Sequence, residues 1–344
     1  MSLTFISKEH SQALKGCALF MMVFLHLFNQ TSNLQTTFSL CEIDGVPLVN
    51  FLSRGMNPVG FYMFLSGYGL YCVYKSNKLT GGGKNLARLA KLMIIYWLSL
   101  IVFVTIGSFI KPNVYPGNIL DFVQNATAFR TTYNGEAWFL FPYILMSLTC
   151  RLLFKILNRF KCIYTIGICV FLYLGSCFLI SRYYASYFHY NYAIYHVVLY
   201  LSLLLPFISG AIFCKYADKD HNRSFARCLS NIPQWALVVA LLMLYISRCV
   251  ISSAAYSPFY VCLFVIIFLR IRLWSWIERC MMFLGKFSTS VWLIHTWFCY
   301  YLFHDFIYGF HYPILILAVE FAVSIMSGYV IQRIAAMSYR MLRL

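Results

Sequence analysis

Charge is what this sequence has least of. Asp, Glu, Lys and Arg make up 11% of its 344 residues, against about 25% in an ordinary soluble domain. Acidic groups are the scarcest, ten in all. The chain has no CxxC pair, no HExxH helix and no repeat of fixed period, so zinc sites, thiol redox motifs and solenoids have no support. The segment Lys78–Lys84 is glycine-rich, but Lys78 stands where a nucleotide loop needs its first glycine and Asn85 follows Lys84 in place of Ser or Thr. Thirteen cysteines, an odd number scattered through apolar runs, read as small hydrophobes at lipid depth. No stretch between apolar runs is long enough for a separate soluble domain, so residues 1–344 read as one transmembrane domain.

Apolar residues fill the space, at 61% of the chain. One soluble core of this size could not hide that much surface. A transmembrane helix takes roughly 20 apolar residues, which leaves room for about ten spans. An all-α polytopic bundle is therefore expected, with spans near Leu14–Gln30, Pro58–Tyr74, Leu89–Ile110, Ala137–Leu153, Ile163–Ile180, His196–Cys214, Gln234–Cys249, Ser257–Leu269, Met281–Phe303 and Tyr312–Ile331. The eighth is short. No small-residue cleavage site follows the first, which reads as an uncleaved anchor.

A net charge of +17 would suggest nucleic acid in a soluble protein. Here its distribution favours the positive-inside rule instead. With the N-terminus in the cytoplasm, only Arg54, Lys111, Arg130, Arg182 and Arg248 fall outside, and the other Lys and Arg of the 27 lie inside. That predicts cytoplasmic N- and C-termini.

Ionisable groups at lipid depth are costly and point to function. His26, Ser66, His295 and Glu320 lie within spans one, two, nine and ten. Counted from Lys15, Lys75, Lys286 and Arg333 on the same helices, they stand about 16, 14, 14 and 20 Å from the inner face at 1.5 Å per residue. Each has a plain structural reading: a histidine satisfied by a backbone carbonyl, Ser66-Gly67 as a close-packing pair, Glu320 bound to a hydroxyl or a base. As a layer they suggest a site near the bilayer middle. Low-dielectric surroundings favour the uncharged imidazole, which accepts protons, and a second histidine or a carboxylate can orient it. A metal site would need a ligand spacing that is not seen, so no metal is expected.

Two surface features complete the picture. Arg88 and Lys91 are three apart on one face at the start of span three, suited to an anionic, phosphate-bearing donor or to simple anchoring. On the outer side, Tyr183, Tyr184, Tyr187, Tyr190, Tyr192 and Tyr195 read as an interfacial belt. Glu42, Asp44, Glu136 and Trp138 are the other outward polar groups.

Four segments, in order along the chain, resemble the membrane acyltransferase-3 family. They are Ala13-Leu-Lys-Gly-Cys-Ala-Leu-Phe-Met-Met-Val-Phe-Leu-His26, Gly60-Phe-Tyr-Met-Phe-Leu-Ser-Gly-Tyr68, Ala137-Trp-Phe-Leu140 and Ser288-Thr-Ser-Val-Trp-Leu-Ile-His295. The resemblance implies transfer of an acyl group, usually acetyl, from acyl-coenzyme A inside to a hydroxyl of a surface polysaccharide or its lipid-linked precursor. It maps the family's helix-one histidine onto His26 and its basic pair onto Arg88 and Lys91. Lys91 replaces the family's second Arg and Lys15 the common Arg before the histidine, keeping charge but losing the bidentate fork. Ser66, Glu136 and His295 would shape or polarise the site. Its setting would be the cell membrane of a bacterium, with lipid around it, no nucleic acid partner and no cofactor beyond the acyl-coenzyme A donor. The alternatives are a transporter or flippase for a lipid-linked sugar, with Glu320 as proton carrier, and a polyprenyl-phosphate glycosyltransferase using Glu42 and Asp44.

Overall fold

The computed structural model describes residues 6–76, 83–216, 232–342 and 344. Lys78, Lys219, Arg223, Arg227 and Arg343, all counted above as inner-face residues, lie outside them, as do the glycines 81–82. The described chain is helical: α1 Lys8–Phe28, α2 Leu48–Ser53, α3 Pro58–Lys75, α4 Gly83–Ile110, α5 Ile119–Ala126, α6 Leu140–Arg159, α7 Cys162–Tyr183, α8 Tyr192–Tyr216, α9 Gln234–Val250, α10 Ser257–Phe268, α11 Ser275–Thr296, α12 His304–Tyr308 and α13 Pro313–Met341. A helix occupies each of the ten segments expected to be spans. Among the described residues, six helical stretches are long and apolar enough to cross a bilayer: Lys8–Phe28, Gly83–Ile110, Gly135–Arg159, Cys162–Phe188, Tyr192–Tyr216 and Pro313–Met341. Gln234–Val250 and Ala254–Phe268 are apolar but shorter.

The chain divides into two compact units. The first comprises Met1–Ala18, Asn57–Gly82 and Leu145–Gly285. Its most extensive pairing is α3 on α8, and glycine makes it possible. A Cβ on Gly67 would stand 1.8 Å from the Phe207 carbonyl oxygen, and one on Gly210 would stand 1.9 Å from that of Phe64. Small residues let membrane helices approach backbone to backbone, so Gly67 serves packing. Gly16 and Gly285 do the same where α1 meets α11, with Cβ positions 1.9 Å from the Met281 oxygen and 2.1 Å from that of Gln12. The tyrosine-rich stretch is a π-helical turn, Tyr184–Phe188, with Tyr184, Tyr187 and Tyr190 exposed.

The second unit comprises Leu19–Met56, Gly83–Ile144 and Lys286–Leu344. Its core is aromatic: Trp297, fully buried, stacks on Phe103 with centroids 5.5 Å apart and tilts against Tyr115 at 5.7 Å. After α1 comes a hairpin of Glu42–Ile43 on Val46–Pro47. Asp44 and Gly45 form its turn with φ of 53° and 71°, the left-handed pair that a two-residue hairpin demands. Asp44, read from sequence as part of an outward polar set, is thus the turn residue of this hairpin. The short helix α5 starts on a reciprocal capping box between Asn118 and Asp121. At the end of α11 the chain widens into a second π-turn, Trp297–Tyr301.

Candidate active site

His26 lies in the last turn of α1, His295 near the end of α11, and Glu136 in a 3₁₀ turn, Gly135–Phe139, that leads into α6. All three belong to the second unit. His26 Nδ1 is 2.6 Å from His295 Nε2, with the two rings nearly parallel. His26 Nε2 is 3.2 Å from Glu136 Oε2. His295 Nδ1 turns back on its own helix, 2.9 Å from the Val291 oxygen and 3.0 Å from that of Trp292. His295 is fully buried and His26 nearly so, whereas 30% of the Glu136 side chain is exposed. The line thus runs from a buried backbone carbonyl to a carboxylate at an accessible end.

Hydrogen-bond valence fixes the proton count of this line. Carbonyl oxygens only accept, so His295 Nδ1 bears a hydrogen. Each remaining link, His295 Nε2 to His26 Nδ1 and His26 Nε2 to Glu136 Oε2, needs one proton between its heavy atoms. The three residues therefore hold three protons wherever those sit within the links. Two imidazoles and a carboxylate with three protons carry no net charge, the condition that burial tolerates best.

The Glu136 turn is anchored at the two residues before Glu136. Asn134 donates its side-chain amide to the Leu293 oxygen at 3.2 Å and accepts the Thr296 hydroxyl at 2.9 Å. The Gly135 N–H donates to the Tyr301 hydroxyl at 2.8 Å. The sequence does not single out Asn134 or Tyr301; a loop amide carries no compositional signal, and 27 tyrosines hide any one of them.

The basic pair lies in the first turns of α4, half-buried. Arg88 donates through Nη1 to the Tyr143 hydroxyl at 2.5 Å, through Nη2 and Nε to Asn85 Oδ1 at 3.0 and 3.3 Å, and its guanidinium stands 5.6 Å over the Tyr143 ring. Lys91 holds its ammonium 5.4 Å over the Tyr339 ring, whose hydroxyl donates to the Lys91 oxygen at 2.9 Å. A planar guanidinium fixed at three atoms is suited to phosphate.

Two expected site residues, Ser66 on α3 and Lys15 on α1, fall in the first unit, both half-buried. Glu320, fully buried on α13, accepts the Ser324 hydroxyl on Oε1 at 2.7 Å, while Oε2 has no hydrogen-bond partner among the described residues. It follows the plain reading of a carboxyl tied to a hydroxyl on its own helix. No three His, Cys, Asp or Glu side chains among the described residues gather around a common point; the nitrogens of His26 and His295 face each other.

Six helical stretches long and apolar enough to cross a bilayer mark a multi-pass membrane protein, in which two imidazoles and a carboxylate stand in series. The family model of the acyltransferase-3 type, described as an acyltransferase domain, matches residues 11–333, nearly the whole chain. The chain belongs to that family and is a membrane acyltransferase. No curated protein and no solved structure matches it.

Proposed function

We propose that the enzyme moves an acyl group, acetyl before others, from acyl-coenzyme A in the cytoplasm to a hydroxyl of a surface glycan or its lipid-linked precursor, in a bacterial cell membrane with both termini inside. The observation that carries this reading is the line of contacts from His295 through His26 to Glu136, 2.6 and 3.2 Å long. Arg88 and Lys91, both in the unit that carries His26, hold the phosphates of the donor.

Glu136 marks the accessible end of the line, so the acceptor arrives there. Its hydroxyl displaces the Glu136 oxygen from His26 Nε2, and the carboxyl leaves with the shared proton. The freed Nε2 takes the hydroxyl proton as the hydroxyl oxygen attacks the thioester carbonyl carbon. The carbon–sulfur bond breaks, and the imidazolium gives its proton to the leaving thiolate. Ester and free coenzyme A result. His295 keeps the His26 ring in the tautomer and orientation this needs, as the third member of a triad does. In the relay form, His26 Nε2 itself attacks the thioester and Glu136 protonates the thiolate. The acyl-imidazole then passes its acyl group to the acceptor, whose proton returns to Glu136.

The test compares base-labile esters on surface glycans from cells lacking the chain, cells complemented with it, and cells carrying His26→Ala. Esters should appear only with the wild-type chain, at equal membrane levels of the variant. Unchanged esters with His26→Ala would overturn the reading.

A further inference from the structure

The π-turn Trp297–Tyr301 places two consecutive tyrosines on the two arms of the line. Tyr300 donates to the backbone oxygen of His26 at 2.5 Å, with Asn29 Oδ1 2.9 Å away as a second acceptor, and its ring stands edge-on to the His26 ring at 6.0 Å. Tyr301 accepts the N–H of Gly135, the residue before Glu136, at 2.8 Å. Successive helical residues point about 100° apart, so neighbours in sequence reach different elements. π-Turns insert a residue into a helix and recur at functional sites.

The end of α1 shows what Tyr300 contributes. The last four carbonyls of a helix lack intrahelical partners. Here every one is taken: Leu25 O by the Asn29 N–H at 2.9 Å, His26 O by Tyr300, Leu27 O by the Tyr308 hydroxyl at 2.7 Å, and Phe28 O by the Asn50 amide at 2.8 Å. The turn that carries His26 is tied down by side chains of three separate elements, and of these caps Tyr300 is the one on the His26 carbonyl. A histidine that must keep 2.6 Å to one partner and 3.2 Å to another depends on such a fixed backbone.

We propose that Tyr300 and Tyr301 are positioning residues, Tyr300 holding the His26 arm and Tyr301 the Glu136 arm, and that the π-turn sets their divergence. This rests on the acyltransfer chemistry argued for His26. Neither tyrosine meets the reacting atoms; each acts through a backbone bond.

The experiment uses inside-out membrane vesicles carrying the full-length chain, supplied with radiolabelled acetyl-coenzyme A. Base-labile label in the vesicle glycans is followed for wild type, Tyr300→Phe, Tyr301→Phe and His26→Ala. Each phenylalanine variant should lose about ten-fold or more in turnover, the scale of a sub-ångström to ångström misplacement. The KM for acetyl-coenzyme A should stay unchanged, the pH profile of the rate should shift, and the purified variants should keep a wild-type unfolding midpoint. Wild-type turnover and pH profile in both variants, with His26→Ala inactive, would overturn the positioning role alone. A rate that falls only in step with the amount of folded protein would overturn it too. Label transfer surviving in His26→Ala would instead overturn the chemistry beneath it.

Discussion

Replacing Gly67 by alanine measures how much of the Ser66-Gly67 pair is packing. The added Cβ would land 1.8 Å from the Phe207 carbonyl oxygen, whereas carbon–oxygen contacts settle near 3.3–3.6 Å. Since the obstacle is backbone and cannot rotate away, α3 and α8 must part by roughly 1.5 Å to restore that contact distance. Gaps of about 0.5–1 Å already forfeit a quarter to a half of each contact's attraction. The helices are locked at a second place, where Gly210 meets the Phe64 oxygen, so parting at Gly67 strains both. Overpacking of this kind costs about 1–3 kcal/mol, and an immovable carbonyl puts this site at the upper end. Gly69, two residues on, is exposed with nothing within 4 Å of its Cβ position. There alanine should gain about 0.5–1 kcal/mol from helix propensity. Thermal unfolding of the purified protein, followed by size exclusion, should rank Gly69→Ala at or above wild type and Gly67→Ala well below it. A Gly67→Ala protein as stable as the Gly69→Ala one would refute the close-approach argument. Ser66→Ala in the same series separates roles: lost transfer with kept stability puts Ser66 in the chemistry, and full transfer leaves the pair to packing alone.

Three further outcomes follow from the same geometry. Glu136→Gln removes the charge that lets the line hold three protons without net charge, so transfer should fall about 10²–10⁴-fold, the usual share of acid–base catalysis, with acetyl-coenzyme A binding kept; a wild-type rate would refute the assignment. Glu320→Gln keeps the shape and the acceptor for Ser324, so folding and transfer should be retained, whereas a proton carrier at this position would make the variant inactive. In the stretch between α4 and α6, burial pushes the phenols of Tyr115 and Tyr133 above their ordinary value. Because the folded state holds those protons more tightly than the unfolded chain, their contribution is complete below about pH 10 and is lost as pH rises beyond it. The protection factor over residues 111–134, taken against the intrinsic exchange rate at each pH, should therefore fall above about pH 10, and a factor that does not change with pH would contradict this.

The helices were legible because a bilayer asks for long apolar runs, and each of the ten predicted segments is helical. His26 and His295 stood out for the converse reason, since an imidazole is costly at lipid depth, and the structure brings the two rings within 2.6 Å of each other. Depth counted along a helix says nothing about the direction a side chain faces. That is why Glu320, counted to a similar depth, is bound to Ser324 on its own helix. Asp44 looked acidic and is a turn residue, a role set by the glycine after it. The π-turn and its two tyrosines left no trace in composition, since one extra residue in a helix changes geometry and not periodicity over so short a stretch.

The most direct test of the central claim reads the bond between the two imidazoles. In full-length protein labelled with ¹⁵N-histidine, the account predicts scalar coupling across the hydrogen bond between His26 Nδ1 and His295 Nε2, abolished by His295→Asn, with His295 Nδ1 protonated throughout. Two uncoupled rings that titrate independently would contradict it.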